Sequence, residues 1–375
     1  MIKKRIGYVD QFRGLATVFM IETHVVNALL SDSLKGTMIF SLLNFVNGLV
    51  APSFLFVAGF SFTLAVNRKG DAYRRFSPEL RKHMKRLLFI LAVGYALHLP
   101  FFSLRKIIYG STPADITAFF AVDILQCIAV TLILIHLIRV IINSDRTFNL
   151  ILWGLFWFFI IGAPFAGYFD PGAVLPKFLG QYFNSVHGSL FPLFPWAGFL
   201  IAGAIFSQKV TFEKESKFAA NLVRIGGGMV VVGLLLLEVQ RFLLPQTNVW
   251  DYAPGWFLLR LGMLIWILKA IIWYEGKRET VWSSVKIFGR ESFLVYVVHI
   301  LLVYGSSAKN PSLVESLGTQ LNYFQCTLIF VLLAAVMFAA AYSWSELKSR
   351  NYQLSRLVQW IAVTGFFYLF IKNPY

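Results

Sequence analysis

Long apolar runs broken by short polar segments fill this chain from end to end. Eleven of them can cross a hydrocarbon core of ~30 Å: near 12–30, 45–66, 86–104, 117–138, 149–165, 189–207, 219–239, 255–274, 285–305, 321–344 and 357–371. The pattern predicts an all-α, polytopic integral membrane protein with about 11 transmembrane helices. The last run is the weakest, so the expected range is 10–12. No stretch is polar enough for a separate soluble domain, and residues 1–375 read as one membrane domain.

Composition sharpens this picture. Hydrophobic residues make up 58% of the chain and charged residues only 14%, against about a quarter charged in soluble domains. The net charge of +16 argues for membrane topology rather than nucleic acid, because the cations cluster between apolar runs. With the N-terminus inside, 24 Lys and Arg residues fall on the cytoplasmic side and seven on the other. That asymmetry predicts a cytoplasmic N-terminus and an outer C-terminus. Lys3, Lys4 and Arg5 before an apolar run imitate a signal peptide. Asp10 and Arg13 interrupt the run and no small-residue cleavage site follows, so an uncleaved first span is expected. Cys127 and Cys326 fall inside predicted spans and suggest no disulfide framework. The six His residues show no paired ligand spacing, so no metal is expected. No internal repeat is visible, which argues against a repeat-built transporter.

The first run, DQFRGLATVFMIETHVVNALL, carries Asp10, Arg13, Glu22 and His24. Each ionisable group costs a few kcal/mol near a bilayer centre on insertion scales. On a helix, Arg13 and His24 are separated by a rise of about 16 Å and lie within about 20° of one face. Glu22 points away from that line. Arg13 and His24 either line a path through the membrane, or Asp10 and Arg13 snorkel to the interface while His24 hydrogen-bonds a neighbouring helix.

The segment VDQFRGLATVFMIETH resembles the opening of the transmembrane acyltransferase superfamily, whose acyltransferase-3 branch places Arg, ten residues, then His in the first helix. APSFLFVAGFSFTLA at 51–65, VDILQCIAVTLIL at 122–134, FPLFPWAGFLIAGAIF at 191–206 and GRESFLVYVVHILL at 289–302 resemble the heparan-α-glucosaminide N-acetyltransferase-like branch. They occur in the family's order over roughly residues 5–305. The resemblance implies an integral-membrane acyltransferase in a bacterial inner membrane. It would move an acyl group, usually acetyl, from cytoplasmic acetyl-CoA or another acyl-CoA to a sugar or glycan hydroxyl or amine. Membrane lipid, acyl-CoA and the acceptor would be its partners, with a homodimer left open. His24 inherits the role of general base from the acyltransferase-3 branch. The other branch places its His in the first outer loop, where this chain has none and only Asn47 and Gly48 match.

Within that expectation the remaining polar residues acquire candidate roles. Arg13, Arg81, Lys82, Lys85 and Arg86 suit the phosphates of coenzyme A. In acyltransferase-3 members an Arg-x-x-Arg pair stands near 83–86; here His83 precedes Arg86, and the cluster serves equally as a positive-inside anchor. Asp123, with Gln126 one turn on, would orient a His, bind acceptor hydroxyls, or join helices. Tyr296 and His299, one turn apart, are expected to support the site. Arg260 needs a partner, with Asp251, Glu238 or a ligand carboxylate as choices. His187 and Trp196 lie where an outer acceptor would enter, and serve equally as a solvated loop His and an interfacial Trp. The run RIGGGMVVVG at 224–233 reads as close helix packing rather than a nucleotide fingerprint. The rival reading is a proton-coupled transporter or exporter using Glu22, His24, Asp123 and Glu238 as a relay. A non-catalytic scaffold of the same fold is the third.

Overall fold

A computed structural model describes residues 6–70, 77–212, 215–243, 252–277, 283–305 and 312–373. In chain order its α-helices are α1 (Gly7–Leu29), α2 (Met38–Asn47), α3 (Val50–Lys69), α4 (Pro78–Ala96), α5 (Leu104–Tyr109) and α6 (Pro113–Phe120). Next come α7 (Ile124–Ile141), α8 (Asp145–Tyr168), α9 (Lys177–Gly180), α10 (Leu193–Phe212) and α11 (Glu215–Leu243). The last are α12 (Pro254–Lys277), α13 (Ser283–Arg290), α14 (Ser292–Tyr304), α15 (Leu313–Leu317), α16 (Tyr323–Arg350) and α17 (Tyr352–Lys372). β-Bridging is confined, among the described residues, to one isolated parallel bridge between Leu30 and Leu321.

The protein is a helical, polytopic integral membrane protein. Among the described residues, seven helices are long and apolar enough to cross a bilayer, with Met38–Asn67 taken as one, and eight if the bent α13–α14 pair is a single span. The difference from eleven expected runs has local causes. The polar residues of α1 dilute its hydropathy, and α4 opens on Arg81, Lys82, Lys85 and Arg86. The apolar part of α10 stops at Leu193–Gln208. The run 86–104 breaks after Ala96, where Pro100 ends the helical path and Phe101 and Phe102 take φ of 52° and 47°. The run 117–138 is interrupted at Ala121–Asp123, and 285–305 bends by 83° around Glu291.

The chain divides into two compact units. The first joins Met1–Val50, Leu99–Asp115 and Tyr274–Tyr375; the second joins Ala51–His98 and Ile116–Trp273. In the first, α1 packs against α13, α14 and α16. Its closest crossing has no room for side chains: a Cβ on Gly14 would overlap the Val285 carbonyl oxygen, and one on Gly289 would overlap the Asp10 carbonyl oxygen. At the foot of this crossing Asp10, only 3% exposed, meets Arg290 at 3.7 Å, and Lys286 meets Glu275 at 2.8 Å. Glu291, at the bend, takes Lys348 of α16 at 2.6 Å. The peripheral α17 is anchored at its end, where Asn373 Nδ2 donates to the Phe101 carbonyl and Ser103 Oγ donates to the Asn373 carbonyl.

The second unit repeats the glycine device between α3 and α10. A Cβ on Gly59 would overlap the Leu200 carbonyl oxygen, and one on Gly203 that of Phe56. Small residues that let backbones touch are a recurrent solution where lipid removes the usual hydrophobic drive. The run at 224–233 works likewise: Gly226 faces Trp266 and Gly262, and Gly233 faces Gly255 and Leu259.

Gly14→Ala and Gly289→Ala will each destabilise the protein by about 1–3 kcal/mol through overpacking. Gly365→Ala, on α17 with open space around it, will leave stability unchanged or raise it by up to about 1 kcal/mol. Thermal unfolding of the three variants in lipid nanodiscs checks the order.

Candidate active site

In the N-terminal turns of α1, Asp10 is held in its ion pair, and the Arg13 carbonyl accepts from Thr17 Oγ1 at 2.8 Å. Further along, α1 presents two different polar surfaces. Glu22 is half-buried and hydrogen-bonded to the Asn47 side chain at the end of α2. His24 turns instead to α14, where its Nδ1 lies 3.1 Å from the Tyr304 hydroxyl. Glu22 and His24 thus have separate neighbours, as their near-opposite faces predict.

Two rings of α14 lie against His24, and a third stands behind one of them. Its ring centroid is 5.1 Å from that of His299 and 5.6 Å from that of Tyr304, edge-on. Tyr296 stands 5.8 Å behind His299. His299 is fully buried, and its Nδ1 donates to the Val295 carbonyl at 2.7 Å. A carbonyl only accepts, so Nδ1 carries the proton and the neutral ring keeps its lone pair on Nε2. That Nε2 is buried and has no hydrogen-bond partner among the described residues. A half-buried imidazole beside a phenol and a second, tautomerically fixed imidazole is an arrangement suited to moving protons.

The second unit gathers its own polar group. Asp123 is the N-cap of α7, its Oδ1 accepting from the Ile124 amide at 2.7 Å. The backbone before it is held by the Ser189 hydroxyl, which accepts from the Val122 amide, and by the Leu190 and Phe191 amides, which donate to the Val122 carbonyl. Asp123 Oδ2 faces His98 Nε2 at 3.7 Å, while His98 Nδ1 donates to the Ala118 carbonyl at 3.2 Å. One turn back on α4, Tyr95 shares a 2.8 Å hydrogen bond with Tyr182. Burial, with the Tyr95 hydroxyl adding to it, holds the Tyr182 phenol well above its ordinary range. Gln126 is fully buried and packs on Gly94, a helix-joining role.

Arg81, Lys82, Lys85 and Arg86 are all exposed on one stretch of α4. His83 points the other way, its ring 5.5 Å from Phe62 and 5.1 Å from His136. His187 belongs to a loop pair, Nε2 donating to Asp170 Oδ1 at 2.8 Å. That bond, with the Gly172 amide, holds the Asp170 carboxyl below its ordinary range. Trp196 is half-buried against Phe191 at 4.8 Å. Arg260 lies over the Trp256 ring at 5.5 Å, Glu238 pairs with Arg241, and Asp251 falls outside the described residues.

Of the candidates read from sequence, the first unit brings together His24, Tyr296 and His299, and the second brings Asp123 and Gln126 onto one helix start. Sequence reasoning missed Tyr304 and the His98–Tyr95–Tyr182 group. Their partners lie far along the chain, and only the polar tips of Tyr95, His98 and Tyr304 in apolar runs mark any of them.

The family described as Heparan-alpha-glucosaminide N-acetyltransferase, catalytic, matches residues 5–237. The chain belongs to this family. The match covers well over half of the 375 residues, including α1 with Arg13 and His24 and the start of α7 with Asp123. The α13–α14 segment that supplies His299 and Tyr304 lies beyond it. Comparison with curated protein sequences finds no match. Membership in the heparan-alpha-glucosaminide N-acetyltransferase catalytic family, with the apolar helices, makes this a membrane enzyme of the acyltransferase type.

Acidification tests the loop geometry. Because the folded Asp170 carboxyl is held below its unfolded value, its bond to His187 is at full strength above the ordinary carboxylate range and is lost as pH falls through the lower folded value. Hydrogen exchange of residues 169–190 will therefore stay slow through the ordinary carboxylate range and accelerate below it. Asp170→Asn will remove that step.

Proposed function

We propose that the protein transfers an acetyl or similar acyl group from cytoplasmic acyl-CoA to a sugar or glycan hydroxyl or amine, with His24 as general base. The supporting observation is the placement of His24: it stands within the family-matched segment, half-buried, against a phenol at 3.1 Å and a second imidazole at 5.1 Å. A base near neutral pKa takes the proton of an attacking hydroxyl or amine as the thioester carbonyl is attacked. A site closed to water would spare the thioester from hydrolysis.

The exposed cations of α4 are the proposed landing for the coenzyme's phosphates, since Arg forks bind phosphate bidentately and Lys adds point charge. Arg13, in the first helix, is proposed to serve the donor as well. Asp123, aided by His98, is proposed to bind acceptor hydroxyls, with His187 and Trp196 nearer the loop entrance. Orientation with the N-terminus in the cytoplasm and eleven spans completes this reading, in keeping with the distribution of Lys and Arg.

Transfer of labelled acetyl from acetyl-CoA to a panel of amino sugars and glycans, by the full chain in nanodiscs, is the direct test. His24→Ala will lower turnover at least about hundredfold while acetyl-CoA binding persists; unchanged turnover would remove His24 from the chemistry. Arg81→Gln with Arg86→Gln will weaken acetyl-CoA binding roughly tenfold, with less effect as salt rises.

A further inference from the structure

The geometry points to Tyr304 as a covalent way-station: the acyl group passes from the thioester to the Tyr304 phenol, and from there to the acceptor. This rests on the acyltransferase reading and adds a two-step route to it. A side-chain hydroxyl within hydrogen-bond reach of a His, with a third group beside the His, is the arrangement of an activated nucleophile. Tyr304 Oη and His24 Nδ1 are 3.1 Å apart, and His299 packs at 5.1 Å with its tautomer fixed by Val295. Tyr304 is 46% exposed, whereas His299 is fully buried. The phenol closes α14 immediately before Gly305, whose φ of 79° turns the chain away.

The chemistry balances without another reagent. When His24 holds its ring proton on Nε2, the Tyr304 O–H donates to Nδ1. Oη attacks the thioester carbonyl, its proton passes to Nδ1, the C–S bond breaks, and the departing thiolate takes that proton to leave as free thiol. The product is a phenyl ester on Tyr304. In the second half the acceptor's hydroxyl or amine attacks the ester carbonyl and yields its proton to Nδ1. The C–Oη bond breaks and the phenolate regains a proton from His24. A phenol's pKa is about 10 and a thiol's about 8.5, so the two leaving groups are close in ability. A phenyl ester therefore retains most of the thioester's transfer potential, which an alkyl ester on Ser or Thr would lose.

The test incubates full-length protein in nanodiscs with acetyl-labelled acetyl-CoA and no acceptor, quenches in acid, and locates the label by peptide mass spectrometry. Acid survival followed by hydroxylamine release separates a phenyl ester from an acyl-imidazole, which does not survive the quench. The expected result is close to one acetyl per chain on Tyr304, chased off by an amino-sugar acceptor and absent in Tyr304→Phe and His24→Gln. Tyr304→Phe will keep acetyl-CoA binding and the wild-type melting profile, losing turnover at least a hundredfold. Initial rates with both substrates varied will give parallel double-reciprocal lines. Turnover with no label on Tyr304, or full turnover by Tyr304→Phe, would overturn the way-station and leave the acyltransferase reading standing. Neither turnover nor label, with no acetyl-CoA binding, would remove both.

Discussion

The contact on which the first unit depends is the glycine crossing of α1 and α13. With Gly14 seated on the Val285 carbonyl and Gly289 on that of Asp10, the two backbones have one register, and a shift of one residue would drive side chains into main chain. That register sets a ruler. Asp10 meets Arg290 at its foot, and His24 meets Tyr304 above. Asp10 and His24 are fourteen residues apart, about 21 Å of continuous helix, whereas Arg290 and Tyr304 stand on either side of the 83° bend, at the ends of α13 and α14. The bend at Glu291, tied to Lys348, lets the chain leave the crossing and then climb beside α1. The charged residues of α1 are thus not a puzzle of cost alone. The lower ones fix height, and the upper ones use it.

Much of this was legible in the chain. The apolar periodicity marked helices and a membrane, because lipid demands that a backbone satisfy its hydrogen bonds within each helix. The Arg13–His24 spacing singled out the first helix, and the ordered segments pointed to the family that residues 5–237 match. What stayed hidden has physical reasons. Span ends were misplaced where Pro100 or a capping Asp123 cuts an apolar run without changing its hydropathy. The role of Tyr304 was invisible because 280 residues separate it from His24, and an aromatic at a span end looks like an interfacial anchor. His98 was overlooked for the same reason: its carboxylate partner is brought to it by the packing of α4 on α7.

The second unit shows that one packing device can serve different contents. Its α3–α10 crossing uses Gly59 and Gly203 as the first unit uses Gly14 and Gly289. Around the first crossing the chain places ion pairs; around the second it places an aromatic layer of Phe56, Phe60 and Phe206. Close backbone contact is what both share, and the chemistry is added above it by separate residues.

The last helix carries a different consequence. Only 6% of the apolar window of α17 is buried, and its firm ties are polar ones at its end, to Phe101 and Ser103. Along its length it packs on α16, and its Phe366 ring meets Phe102 edge-on at 6.0 Å. A helix so sparsely packed against its own chain is one that hydrophobic mismatch with a thinner or thicker bilayer can tilt with little resistance from neighbouring side chains.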